Sequence, residues 1–392
     1  MEKQAYTTKP APDMAATLRR RLTIGLPASS RGEERRFPLT PEGVTRLAER
    51  GFVIKIEQGA AAALNYPENR YTRQGAFIVS RDEALGCDIV ISMAPLRPRD
   101  VSNMRRGSLL LTLLHPEMQN ADTVAPLLQR HITTLALDLI EDSEGNRPFG
   151  DILAEIDGRA AMTVAAMQLA DPAGKGILLG GVAGIVACEV VVIGSGIAAC
   201  SAASAANGLG ATVRMFDNDV YRLRRSVSEL GQWVVASSLH PHVVGNALRS
   251  ADVIVAAAPS HDVILGADAV DLMKTGVVIV DLSSMPGASF PSLPAIDVNN
   301  RAAIAEARRC SQRVALTNPG SLVPRTAAMA MSDTLLTTLE RMFAFRSLSD
   351  ALNGHCGLRT AVVTYLGRVV NQQIAKAAGM RPVDISIYLS LS

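Results

Sequence analysis

The sequence predicts an α/β protein of two Rossmann-like domains, the first assembled from both ends of the chain and the second inserted between them. Three observations carry this. Short β-branched and apolar runs alternate with helical segments along most of the chain, the pattern of βαβ units and parallel sheets. One run, from Glu189 to Asp217, reads EVVVIGSGIAACSAASAANGLGATVRMFD: a strand, a glycine turn, a helix, and a second strand with an acid at its end. Two long helical stretches, about Asp151 to Leu169 and Thr326 to Phe343, flank the unit containing that run and are placed to cross between domains.

The bulk properties agree with a soluble globular chain. The 392 residues allow two or three domains, and 48% hydrophobic against 19% charged residues suffices for large cores. A formal charge of +2 with scattered basic residues gives no reason to expect nucleic acid. No apolar run reaches membrane-spanning length, and residues 1–20 lack the apolar core of a signal peptide, reading instead as a poorly ordered extension. The five cysteines are an odd number with no CxxC pair, which points to a reduced, cytoplasmic setting; no metal site is expected.

In chain order, Arg21 to Pro27 is a strand followed by the charged loop SSRGEERRF. Thr40-Pro41 then supplies an N-cap and a first-turn proline, Val44, Leu47 and Ala48 keep helical spacing, and Gly51 stops the helix. Phe52 to Glu57 is the next strand. Tyr71 to Gly75 and Arg81 to Gly86 are short connecting or helical pieces, and Cys87 to Met93, Gly107 to Leu114 and Thr133 to Asp138 are further strands. His115 follows the second of these directly, at the carboxyl end where parallel sheets carry their sites. Beyond the polar stretch 141–157 come the crossing helix, a glycine-rich loop over 176–184, and the central βαβ unit. Ala251 to Ala258 and Gly276 to Asp281 are buried strands around a helix at Ala267 to Lys274, and Ala315 to Pro324 is a strand and loop. The tail, including Arg359 to Ala378, reads as helical. Residues about 21–150 plus 326–392 then form one domain and 156–325 the other.

The central unit has the parts of a dinucleotide site. Gly194 permits the turn, Gly196 lets backbone approach a pyrophosphate, and the N–H groups of Ile197 and Ala198 open a helix whose dipole favours that anion. Asp217 stands roughly 20 residues on, where a carboxylate accepts from the ribose hydroxyls and disfavours a 2′-phosphate. The cofactor expected is NAD(H), although Arg214, Arg222, Arg224 and Arg225 lie nearby.

IGLP with EERRFPLTPEGVTRLAERG, then LLLTLLHPE, Gly158-Arg159, GGVAG before VVVIGSGIAA, ANGLGATVRMFDND, GVVIVD and NPGSLVPRT together resemble the alanine dehydrogenase and transhydrogenase-α family, in order from about Arg21 to Arg341. That resemblance implies a substrate domain, an inserted NAD domain, a homo-oligomer, and hydride transfer at the carbon bearing nitrogen in an L-amino acid. It places Arg36 against the carboxylate of a small-molecule substrate, His115 as the catalytic acid–base, and Asn318 near the nicotinamide. Two of the family's groups are missing: Ser92-Met93-Ala94-Pro95 stands where a KVKEP-like segment supplies a lysine, and Met285 where an aspartate follows the VDIA strand. Arg97 or Arg99 is the available substitute cation, able to stabilise charge but not to donate a proton. The expected activity is therefore NAD-dependent oxidoreduction at the C–N bond of an amino acid, 2-oxo acid or imine with a non-standard substrate. Alternatives are an NADH-dependent imine or carbonyl reductase, and a non-catalytic NAD-binding or transhydrogenase-α-like subunit. Against the last, the chain keeps His115 and reads NRPFGD where that branch has an RAQSLD-like loop.

Overall fold

The computed structural model describes residues 22–257, 264–283, 285–345 and 347–389; the extension expected over 1–20 and the last residue of the strand expected at 251–258 lie outside them. Fifteen strands among the described residues form two sheets. The first takes β1 (Thr23–Leu26), β2 (Val53–Glu57), β3 (Phe77–Val79), β4 (Ile89–Ile91), β5 (Leu109–Thr112) and β6 (Thr133–Ala136). The second takes β7 (Glu189–Ile193), β8 (Thr212–Phe216), β9 (Val234–Ser237), β10 (Val253–Ala256), β11 (Val278–Asp281), β12 (Ala295–Asp297) and β13 (Ala315–Thr317). The chain then returns to the first sheet with β14 (Val362–Tyr365) and β15 (Arg368–Val369).

The first sheet has the order β15-β14-β6-β5-β4-β1-β2-β3 and is parallel except for the last two strands of the chain. The second, β12-β13-β11-β10-β7-β8-β9, is parallel throughout. In each sheet the order reverses once beside the first strand, between β1 and β4 and between β7 and β10. Ligands of open parallel sheets bind in the crevice outside such a reversal, at the strand carboxyl ends. Strands with both faces covered by helices read as continuous apolar runs, and Val190 to Ile193 are accordingly fully buried.

The helices Pro148–Ala170 and Pro324–Phe343 make the two crossings. The first packs against the helix Ile197–Gly208, and Gly158 lets it do so: a Cβ there would lie 2.2 Å from the Ala198 carbonyl oxygen. The Thr40 cap is present, its Oγ1 accepting from the Gly43 N–H at 3.2 Å. The helical reading of the tail needs correction. Val362 to Val369 is a hairpin whose β14 adds antiparallel to β6, turning at Leu366 and Gly367, both at positive φ. The run VVTYLGRVV carries the signal of two β-branched stretches around a glycine turn.

Candidate active site

β1 delivers the loop that carries Arg36, and burial sorts the two arginines of EERR: Arg35 is exposed, Arg36 buried. Arg36 donates from Nε to Glu34 Oε1 at 2.9 Å and from Nη2 to Oε2 at 2.6 Å, a bidentate pair reinforced by its own backbone N–H to Oε1 at 2.8 Å. Nη1 is left facing Asp157 Oδ1 at 3.8 Å. Burial alone would raise the Glu34 carboxyl, but the guanidinium outweighs it and holds the group below the ordinary carboxylate range. Asp157 goes the other way, raised chiefly by burial.

Arg36, Glu34, Phe37, Ile91 and Met93 line a cavity of about 240 Å³ together with Pro27–Ala28 and the alanines at 60, 62 and 63. Met93 reaches it from the end of β4; Ala94 does not line it and is fully buried. Arg97 stays outside, exposed at the start of a short helix with Nη2 donating to the Ser30 carbonyl at 2.6 Å. A larger cavity, about 590 Å³, lies around Lys175, Arg308 and Arg313 and includes none of these residues.

His115 stands three residues beyond the end of β5, where two hydrogen bonds and a left-handed backbone shape the chain. The Leu114 N–H donates to Asp138 Oδ1 at 2.9 Å, Gln119 Nε2 donates to the Leu114 carbonyl, and His115 adopts φ 38°, a left-handed conformation uncommon outside glycine. Nδ1 lies 3.0 Å from Glu117 Oε1. Burial would raise the Glu117 carboxyl, but its hydrogen bond and charge interaction with His115 outweigh that, so it is held low and ionised. A carboxylate only accepts, so Nδ1 carries a hydrogen toward Glu117, and in the neutral form of the ring the lone pair is on Nε2. Nε2 is buried and has no hydrogen-bond partner among the described residues. Asp138, behind it, is raised by burial.

In the second sheet Gly194 has φ 111°, closed to most side chains, and a Cβ at Gly196 would meet nothing within 4 Å, leaving room for a pyrophosphate. The helix Ile197–Gly208 has no side-chain cap, so the first-turn N–H groups of Ile197 and Ala198 are available to an anion. Asp217 is buried, accepts from Ser195 Oγ at 2.5 Å and from the Asp219 N–H at 2.8 Å, and lies 3.7 Å from Arg222 Nη2. These residues fit a dinucleotide. Asn318, at φ 59°, closes β13 three strands from β7, on the order of 14 Å along the same edge. Its Nδ2 donates to Asp297 Oδ2 at 2.9 Å, an oxygen that Arg31 reaches across from the first sheet at 3.3 Å. The Arg35 N–H docks on Ser321 Oγ at 2.9 Å, and Gly320 N–H donates to Asp157 Oδ1 at 2.9 Å.

The structure thus brings Arg36 together with Glu34 and Asp157 and joins the Arg36 loop to the Asn318 loop, whereas His115 does not line the cavity at Arg36. Glu34, Glu117, Asp138, Asp157 and Asp297 were not singled out from sequence. Glu34-x-Arg36 and His115-x-Glu117 were readable as local charge pairs; Asp157 and Asp297 meet their partners only through the fold.

Two largely parallel sheets, and a glycine turn with an acid at the next strand end, define an NAD-dependent dehydrogenase-like protein. The chain belongs to the alanine dehydrogenase/PNT family: the family's N-terminal domain matches residues 25–154 and its C-terminal domain residues 160–372. The alanine dehydrogenase of Mycolicibacterium smegmatis is 28% identical over 388 residues, covering 94% of this chain and 100% of that protein. That of Bacillus subtilis is 28% identical over 369 residues, with 91% and 95% covered. Among solved structures, an L-alanine dehydrogenase superposes with a TM-score of 0.75 at 26% identity, covering 91% of this chain and 99% of its own. A transhydrogenase from Sinorhizobium meliloti shares the fold at TM-score 0.69 and 21% identity, with 89% and 99% covered. The cofactor is NAD(H), as in that family. No helix among the described residues is long and apolar enough to cross a membrane.

Proposed function

We propose that the protein oxidises an L-amino acid larger than alanine at its C–N bond, or reduces the corresponding 2-oxo acid or imine, with NAD(H) as hydride carrier. The observation that carries this is the buried, unpartnered Nε2 of His115, in a chain that also keeps a buried arginine, Arg36, at a cavity wall. When bound, the nicotinamide accepts or returns the hydride. Residues 21–150 and 326–392 hold the substrate in this reading, and 156–325 hold the dinucleotide through Gly194, Gly196, Ile197, Ala198 and Asp217, with Asn318 on the nicotinamide side. Arg36 directs Nη1 and the open edge of Nη2 at the substrate carboxylate, orienting it bidentately. His115 Nε2 takes a proton from the substrate ammonium, giving the free amine from which hydride can leave, and Glu117 steadies the resulting imidazolium. Loss of hydride leaves an iminium, and water then releases ammonia and the 2-oxo acid.

The side chain enters the cavity of about 240 Å³ beside Ile91 and Met93, more room than a methyl group fills. With methionine in place of the family's lysine, that wall carries no cation to polarise a carbonyl. Screening 2-oxo acids and cyclic imines with NADH, with and without ammonia, tests the reading. Ammonia-dependent NADH oxidation with a bulky 2-oxo acid is expected. Ammonia-independent oxidation of NADH would shift the assignment to a reductase, and silence with every substrate would leave a binding subunit.

A further inference from the structure

Resting on the amino-acid reading above, we propose that Asp157 is the residue that selects the substrate by holding its ammonium or iminium nitrogen. Of the carboxylates facing Arg36, two already hold cations in close pairs, Glu34 with the guanidinium itself and Asp297 with Arg31, Asp297 also accepting from Asn318. Asp157 is different. Its Oδ1 accepts from the Gly320 N–H, while Oδ2 has no partner among the described residues, and 27% of the side chain is open.

Its placement matches an α-amino acid. Arg36 Nη1 and Asp157 Oδ1 lie 3.8 Å apart, so a cation site and an anion site stand side by side at about the spacing of a substrate's carboxylate and ammonium. The Gly320 contact also ties Asp157 to the loop that starts at Asn318, so a nitrogen held there sits beside the nicotinamide side of the cleft. That approach is built in: a Cβ at position 320 would lie 2.2 Å from Asp157 Oδ1. The carboxylate expected near position 285 is absent, the residue there being Met285. Asp157 then supplies the negative charge for the nitrogen from the crossing helix.

The test is a thermal-shift comparison of wild type and Asp157→Asn, each saturated with NAD⁺, against the twenty common L-amino acids and the matching 2-oxo acids. Asparagine keeps an oxygen for the Gly320 N–H and removes the charge, and Asp157→Glu restores the charge as a second variant. At least one amino acid should stabilise wild type, with an apparent Kd weakened roughly tenfold or more in Asp157→Asn, the scale of a lost charge-assisted hydrogen bond. Asp157→Glu should recover part of that, and the matching 2-oxo acid should bind Asp157→Asn at least as well as wild type. Equal amino-acid binding in wild type and Asp157→Asn would overturn the proposal, as would wild type stabilised by no amino acid. An amino acid that binds in an Asp157-dependent way but is not oxidised would sink the reaction proposed above and leave this assignment standing.

Discussion

Glu34→Gln isolates the buried pair that anchors the loop after β1. The two side chains are almost wholly enclosed, at 1% and 5% exposure, so neither charge can turn to water when its partner goes. Breaking such a pair costs about 3–5 kcal/mol, because the remaining charge is left buried. Glutamine keeps one oxygen for the Arg36 backbone N–H and Nε, returning on the order of 1 kcal/mol, so the expected loss is about 2–4 kcal/mol. For a domain of this size each kcal/mol moves the melting temperature by about 2–4 °C. Calorimetry on the NAD⁺-free protein should show the transition of the part built on the first sheet lowered by roughly 4–16 °C, with that of the part built on the second sheet unmoved. The pH dependence follows from Glu34 lying below its ordinary value when folded. Its contribution is fully present above the unfolded value, about 4.3, and is lost as pH falls through the folded one. The gap between variant and wild type should be constant from about pH 6 to 8 and close on acidification. A loss under about 0.5 kcal/mol, the level of an ordinary surface substitution, or a gap that widens in acid, would refute this account.

His115→Ala should lower turnover on the native substrate by at least about 10²-fold while leaving NADH affinity, set by the other sheet, nearly unchanged; full turnover in that variant would remove His115 from the chemistry. Titration should show NADH bound more tightly than NADPH, since the Asp217 carboxylate repels a 2′-phosphate, and Asp217→Asn should narrow the difference by leaving Arg222 unopposed there; an unchanged ratio would point away from Asp217. Gly158→Ala forces a methyl group onto the Ala198 carbonyl and should cost about 1–3 kcal/mol of stability. It should also weaken NADH binding by displacing the helix start at Ile197; wild-type melting and affinity would show that the two helices have slack.

The sheets were legible because parallel strands covered on both faces are written as unbroken apolar runs. Glu189 to Ile193 could be placed within a residue, and the Thr40-Pro41 cap located its helix. Where burial is partial the signal fails: β3, β9 and β12 are short edge or near-edge strands with exposed or mixed residues. The tail hairpin was hidden because β14 gains its place only by pairing with β6, more than two hundred residues earlier. The site was half legible. Arg36 and His115 stand in recognisable local strings, whereas Met93 at the Arg36 cavity and Asp157 against Gly320 are products of which strand ends and crossing helix the fold brings together. The sequence pointed to Ala94 as the position of the missing lysine, but Met93, not the fully buried Ala94, lines the cavity at Arg36.

If Arg36 and Asp157 hold an amino acid as proposed, the charges around Arg36 set which form of it binds better. Glu34 and Asp157 contribute −2 and Arg36 +1, so with Asp157 ionised the trio carries −1. A zwitterionic amino acid adds no net charge to it, whereas a 2-oxo acid brings a second negative charge within about 4 Å of Asp157, a repulsion on the order of 4 kcal/mol at a protein-like effective dielectric. Protonating Asp157 removes that repulsion, and burial already raises its pKa. Amino-acid affinity should therefore rise, and 2-oxo-acid affinity fall, as pH increases through the Asp157 titration. Glu34, held low, stays ionised over this range. The contribution of Asp157 is thus the difference between wild type and Asp157→Asn, measured as log Kd against pH for one amino acid and its 2-oxo acid. Opposite slopes in wild type that flatten in Asp157→Asn are expected, and parallel profiles in the two proteins would show that the charge at Asp157 does not reach the substrate.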